Sequence, residues 1–223
     1  MQIQEAVASR HSIRAFLPTP VDGDTIRRVL SAAARAPSGG NLQPWHIDVV
    51  AGDALAALRA TLREKLSRGD EPEATEYDIY PPSLRAPWRD RRFQVGEAMY
   101  ARLGIPREDK AARRRWFSRN FDFFGAPLAL FCSVDRSMGP PQWSDLGMYL
   151  QTVMLLLRGE GLDSCAQECW AIYPQTVGAA IELPAGRMLF CGMAIGHRDP
   201  DHAVNGLVSD RAPEAEWLSF KGI

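Results

Sequence analysis

The sequence predicts a mixed fold of helices and strands, α/β or α+β, with four or five strands. Stretches whose apolar residues recur at helical spacing alternate with apolar runs too short to be helices. A length of 223 residues suits one domain of ordinary size with an inserted segment. A hydrophobic share of 46% against 24% charged supplies a core that needs neither disulfides nor metal.

Residues 2–9 read as a short helix. Asp24 is the expected N-cap of a helix over 25–36, where Ile26, Val29, Leu30 and Ala33 fall on one face. Pro37 stops that helix, and Ser38-Gly39-Gly40-Asn41 supplies a turn. Residues 46–51 alternate and then become apolar, as a strand entering a core does. A helix over 53–68 runs through Leu55, Leu58, Leu62 and Leu66 and stops at Gly69. From Asp70 to Trp88 the chain turns acidic, aromatic and proline-rich, an irregular excursion that reaches to about residue 92 and suits a substrate cover.

Helices are expected again at 93–103 and 107–119, followed by a strongly apolar buried strand at 128–134. Residues 143–160 form the most apolar helix, on Leu146, Leu150, Val153, Met154 and Leu157. A short strand near 164–169, a helix opened by Pro174 and running to 181, and a last core strand over 188–195 complete the order. Beyond Gly196 the chain is polar and tail-like, yet it keeps Asn205, Arg211 and Trp217.

Several function classes are disfavoured. A net charge of −1 provides no field toward nucleic acid or anionic membrane. The arginine-rich stretch from Arg85 to Arg119 is interrupted by Glu97, Glu108 and Asp109, so it reads as a solvated helix surface. No apolar run approaches the ~20 residues of a membrane span, and the N-terminus lacks a signal layout, so a cytoplasmic protein is expected. Cys132, Cys165, Cys169 and Cys191 lie in apolar surroundings and read as reduced, structural thiols. His197 and His202 have no cysteine pair beside them, and no metal site is expected. Neither a dinucleotide fingerprint nor a P-loop is present.

Two polar motifs carry the chemistry. Arg10-His11-Ser12-Ile13-Arg14 gathers two arginines, a possible third cation and a hydroxyl, a set suited to a phosphate monoester. Its plainer alternative is a basic helix end that neutralises its own carbonyls. Pro37-Ser38-Gly39-Gly40-Asn41-Leu42-Gln43-Pro44-Trp45 follows one helix later. There, glycines permit close approach to a flat ring, and Ser38 and Asn41 offer hydrogen bonds to its edge. A helix cap and turn feeding a strand would also explain that segment.

Together these motifs resemble the FMN-dependent nitroreductase family. The likeness continues through Gly161-Leu162-Asp163-Ser164-Cys165-Ala166-Gln167-Glu168 and ends at Asn205 and Arg211, so it spans the chain. Segments 91–97, 123–127 and 142–147 look most like the nitrobenzoate-reductase subgroup. The resemblance implies an α+β fold on a mostly antiparallel central sheet, one domain over 1–223, and an intertwined homodimer with FMN at the subunit interface. It implies that Arg10, Ser12 and Arg211 hold the phosphate and ribityl end, with His11 and Arg14 near the ring's polar edge. Pro37, Ser38, Gly39 and Asn41 would line the flavin of the other subunit, and Ala166, Gln167 and Glu168 would pass beside the ring. Asn120 is the nearest match for a further contact to the pyrimidine edge.

The implied activity is reduction of nitroaromatic or quinone-like acceptors by NADH or NADPH in a ping-pong cycle, with no catalytic side chain named. An aromatic set of Tyr80, Trp88, Phe123, Phe124, Trp143 and Trp170 would cover the outer flavin face. Phe123, Phe124 and Trp88 are the expected substrate contacts. The same fold also serves reductive dehalogenation and flavin transformation. Glu76, Tyr77 and the arginines at 85, 89, 91 and 92 keep that alternative open.

Overall fold

The computed structural model describes residues 1–222. Its strands are β1 (His46–Ala51), β2 (Leu128–Asp135), β3 (Asp163–Gln167) and β4 (Arg187–Gly196). They form one antiparallel sheet in the order β1-β2-β4-β3. The helices are α1 (Ile3–Ser9), α2 (Gly23–Ala33), α3 (Gly52–Arg68), α4 (Trp88–Arg102), α5 (Lys110–Ser118), α6 (Pro140–Gly159) and α7 (Pro174–Ala180).

Because side chains alternate across a strand, the buried inner strands divide the core in two. Leu128, Leu130, Cys132 and Val134 of β2 meet Ile26 and Val29 of α2 and Leu146, Val153 and Leu157 of α6. Ala129 and Phe131 point the other way, toward Leu55, Leu58 and Leu62 of α3, Val177 of α7 and the Trp170 indole. Each fully buried leucine in these layers contributes about 1.5–3 kcal/mol. Gly192 on β4 is required here, since a Cβ at that position would come within 2.5 Å of Trp170.

Element boundaries shift for identifiable reasons. Asp22, not Asp24, caps α2, its carboxylate accepting from the Thr25 amide at 2.8 Å. The helix also ends at Ala33, because Ala34, Arg35 and Ala36 tighten to bonds three residues back before Pro37 is reached. Two prolines open α6 at Pro140, ahead of the expected 143, because proline suits a first turn that lacks amide partners. Asp109 caps α5, which is shorter than the expected 107–119. α4 begins at Trp88 and not at 93, so the irregular stretch closes at Pro87.

The first half of that stretch is a strap tied to the sheet's end. The Glu73 carboxylate accepts from the amides of Gln175 (2.7 Å) and Thr176 (3.1 Å) at the start of α7, from the Thr176 hydroxyl, and from Lys65 (3.1 Å). Burial alone would raise that carboxyl's pKa, but these donors outweigh it and hold the group below its ordinary range. Tyr77 stacks on Phe190 and donates to its carbonyl. Phe190 lies where the β2–β4 register shifts, between the pairs Cys132–Cys191 and Ser133–Leu189.

Candidate active site

The Arg10–Arg14 motif runs beside β3. Ile13 donates to the Ser164 carbonyl at 3.1 Å, and the Arg14 amide donates to Asn205 Oδ1 at 2.9 Å. The buried Asn205 amide nitrogen returns bonds to the carbonyls of Ala15 and Asp199, each at 2.8 Å. Asn205 therefore clamps the motif to the C-terminal segment. Beneath it, buried Asp163 accepts from both ends of the Arg198 fork (2.7 and 2.6 Å) and from Arg158 (2.8 Å). Burial, then the charges of Arg198 and Arg10, hold His11 below its usual pKa, so its ring is neutral near pH 7.

A cavity of about 290 Å³ opens on this motif, lined by Arg10, His11, Ser12, Arg14, Ser209 and Arg211 with apolar Val7, Val95, Leu207 and Val208. None of its lining residues is acidic. Among the described residues, Arg10, Arg14 and Arg211 make no ion pair with a carboxylate. Three cations facing one cavity without a counter-charge fit the phosphate end of FMN.

A second cavity, about 540 Å³, shares Arg14, Val95 and Leu207 with the first and is walled by aromatic residues. Phe124 and Asn120 belong to its wall. They are held by a left-handed turn at Phe123 (φ 49°), Phe124 (φ 54°) and Gly125 (φ 84°), a conformation that bulky residues avoid. Arg59 from α3 secures that turn, donating to the carbonyls of Asp122 (2.9 Å) and Ala126 (2.5 Å) and pairing with the Asp122 carboxylate. Gln167 donates to the Asn120 carbonyl at 2.8 Å, which joins β3 to the cavity wall, while its own Oε1 is buried without a partner. Ala166 is exposed beside it. Glu168 keeps solvent contact although the protein around its carboxyl pushes its pKa up.

Phe123 lies elsewhere. It is fully buried, stacked on Trp170 at 4.4 Å with Phe131 against its edge, so it belongs to the core and not to the cavity wall. Trp170 is likewise interior, and Trp143 packs with Tyr77 and Phe190 at the sheet's end. Trp88 stands exposed at the start of α4, outside the residues lining the cavity. Of the expected aromatic set, Phe124 and Tyr80 line the cavity.

The second motif lies far from the first. The Gly39 amide donates to both Asp145 carboxylate oxygens at 3.3 Å, near the N-terminal end of α6. Arg158, which holds Ser9 at 3.3 Å just before the first motif, sits at the other end of that helix. Thirteen residues of helix separate Asp145 from Arg158, about 20 Å. Pro37, Ser38, Gly39 and Asn41 thus do not converge with Arg10–Arg14 within one chain. Ser38 accepts from the Gln43 amide, and Gly40 and Asn41 are left-handed, so the turn keeps a set shape at the surface.

The roles of Arg59 and Arg198 escaped the sequence reading because their partners, Asp122, Ala126 and Asp163, are distant in the chain, and Asp163 enters it only as part of the Gly161–Glu168 segment. The arginine-rich stretch is engaged internally: Arg113 forks onto Glu97 (2.5 and 3.0 Å), Arg119 lies over Trp116, and Arg91 pairs with Glu216.

The fold and this pair of adjoining cavities define a flavoprotein-like scaffold, and the Nitroreductase family model matches residues 7–197. The chain belongs to the nitroreductase family. It is 36% identical over 216 residues to 4-nitrobenzoate reductase of Pseudomonas putida, covering 97% of this chain and 94% of that one. It is 33% identical over 222 residues to nitrobenzene nitroreductase of Ectopseudomonas oleovorans, covering 98% and 96%. Among solved structures, the FMN and NADPH-dependent nitroreductase NfnB from Sphigopyxis sp. strain HMH superposes with a TM-score of 0.97 at 48% identity, covering 100% of both chains. The FMN-dependent NfnB from Mycobacterium smegmatis, in complex with NADPH, gives 0.92 at 30% identity, covering 98% and 97%.

Proposed function

We propose that this protein is an FMN-dependent NAD(P)H oxidoreductase that reduces nitroaromatic compounds. The observation that carries the reading is the acid-free cavity with Arg10, Arg14 and Arg211, continuous with an aromatic-walled cavity through shared Arg14, Val95 and Leu207. Arg10, Ser12 and Arg211 hold the phosphate, and His11 and Arg14 sit toward the ring. Bound FMN supplies a two-electron carrier between nicotinamide and acceptor. The chain's part is to orient the partners: Gln167 and Asn120 fix the edge between β3 and the wall, and Phe124 and Tyr80 confine a flat ring. Residues 1–223 act as one FMN-binding unit, with the 70–92 region covering substrate only in its part beyond the tethered strap.

The functional unit is a homodimer in which Pro37, Ser38, Gly39 and Asn41 serve the other subunit's flavin. The ~20 Å separation along α6 supports this, as do exposed Leu42, Met148, Trp217, Leu218 and Phe220. No described helix is long and apolar enough to cross a membrane, and a cytoplasmic location suits the free cysteines. The test is an absorbance spectrum of the purified protein. NADH or NADPH should bleach a bound flavin, and 4-nitrobenzoate or nitrobenzene should restore the colour. A colourless protein that gains no activity with added FMN would sink the reading.

A further inference from the structure

The charge balance of the aromatic cavity has a direction. Arg14, Arg89 and Arg92 line it, and Glu97 is its one acidic lining residue. Both Glu97 oxygens are taken by Arg113, and this pairing lowers the carboxyl's pKa and cancels its charge locally. Arg89 is paired with Asp90 at 2.8 Å. Arg14 faces the phosphate cavity as well, so a bound phosphate shares its charge. Arg92 is left. Its guanidinium lies 4.1 Å from the Tyr80 ring centroid, and among the described residues it has no carboxylate partner.

We propose that this cavity selects acceptors that are aromatic anions, with Arg92 as the specificity-determining cation. This rests on the flavoenzyme reading above. The volume of about 540 Å³ leaves ample room for a substituted benzene ring. Arg92 is exposed at the cavity mouth, so its attraction for a carboxylate is partly screened by solvent and rests on charge-assisted hydrogen bonds from the planar guanidinium. An uncharged ring of the same shape meets the same walls but gives Arg92 nothing to pair with. The discrimination lies in that one ion pair, since the two ligands gain equally from stacking.

Calorimetric titration of the holoprotein with benzoate and benzamide, which differ in charge and are not reduced, tests the proposal directly. Wild-type protein should bind benzoate about tenfold more tightly than benzamide, and Arg92→Ala should remove most of that ratio. Arg92→Lys should retain part of it, and Arg85→Ala, outside the cavity, should leave it intact. Equal binding of the two ligands by the wild type, or an equal loss of both in Arg92→Ala, would overturn the proposal. So would a variant whose only change is a higher KM for NADPH, because Arg92 would then read the electron donor. A protein that purifies without flavin and takes none up would defeat the functional reading instead. The benzoate-to-benzamide ratio would still decide the cavity's preference on that colourless protein.

Discussion

At the scale of single residues, the phosphate cavity is governed by like charge. Arg10 and Arg211 face it with no carboxylate among its lining residues. One Arg211 nitrogen already donates to Ser209 and to the Asp210 carbonyl, and its remaining donors and those of Arg10 can form charge-assisted bonds with an anion. Arg10→Ala or Arg211→Ala should weaken FMN binding about 10- to 100-fold and yield largely colourless protein. A variant that purified with full flavin would remove that residue from the phosphate site. His11 gives a pH signature. Its pKa is held below the ordinary 6.5 by burial, Arg198 and Arg10, so the unfolded chain binds the proton more readily. Stability is therefore complete above 6.5 and falls as acidification protonates the ring. The melting temperature of flavin-free protein should drop between about pH 7.5 and 5.5, and His11→Asn should flatten that part of the profile.

At the scale of elements, two tethers hold segments the sequence left irregular. Arg59 fixes the turn at Phe123–Gly125 across the core, and its loss takes a donor from the carbonyls of buried Ala126 and half-buried Asp122. Arg59→Ala should cost about 2–3 kcal/mol and also raise KM for the acceptor, because Phe124 and Asn120 are wall residues. Gly125→Ala, which meets the same turn from the backbone at φ 84°, should cost about 1–2 kcal/mol. Unfolding in urea and steady-state kinetics separate the two effects. Glu73 is the other tether. Glu73→Gln should lower stability by about 1–2 kcal/mol near neutral pH. The wild type should lose that margin as pH falls through the depressed carboxyl pKa, below the ordinary 4.5.

At the scale of the whole molecule, the two motifs at opposite ends of α6 make complementation between subunits the decisive measurement. In a heterodimer of Arg10→Ala with Gly39→Asp, one site combines both lesions and the other combines neither. Such a heterodimer should retain about half the flavin of the wild type, whereas each parent homodimer retains little. A single-chain site would leave the heterodimer as empty as its parents.

Strand and helix order was legible because it rests on local periodicity: β1 and α3 fall where alternation and leucine spacing put them. The clustering of the first motif was legible too, since Arg10, His11, Ser12 and Arg14 are neighbours in the chain and line one cavity. Phe123 was misread because both adjacent rings are buried at nearly the same backbone angle, and only packing separates them: Phe123 stacks on Trp170, whereas Phe124 borders the cavity. Asp22 and Asp24 are both plausible caps by composition, and only the bond to Thr25 separates them.

By itself, then, the sequence determined the alternation of elements, the cationic motif and the family likeness, all properties of residues close together or in fixed order. Tertiary structure decided which arginines lack acidic partners, which aromatic rings line a cavity, and that the second motif lies an α6 length away from the first. Those depend on contacts between residues far apart in the chain, such as Arg59 with Ala126, Arg14 with Asn205 and Gly39 with Asp145. No local pattern encodes such pairings, because each forms only after the sheet and its covering helices have set the distance between the partners.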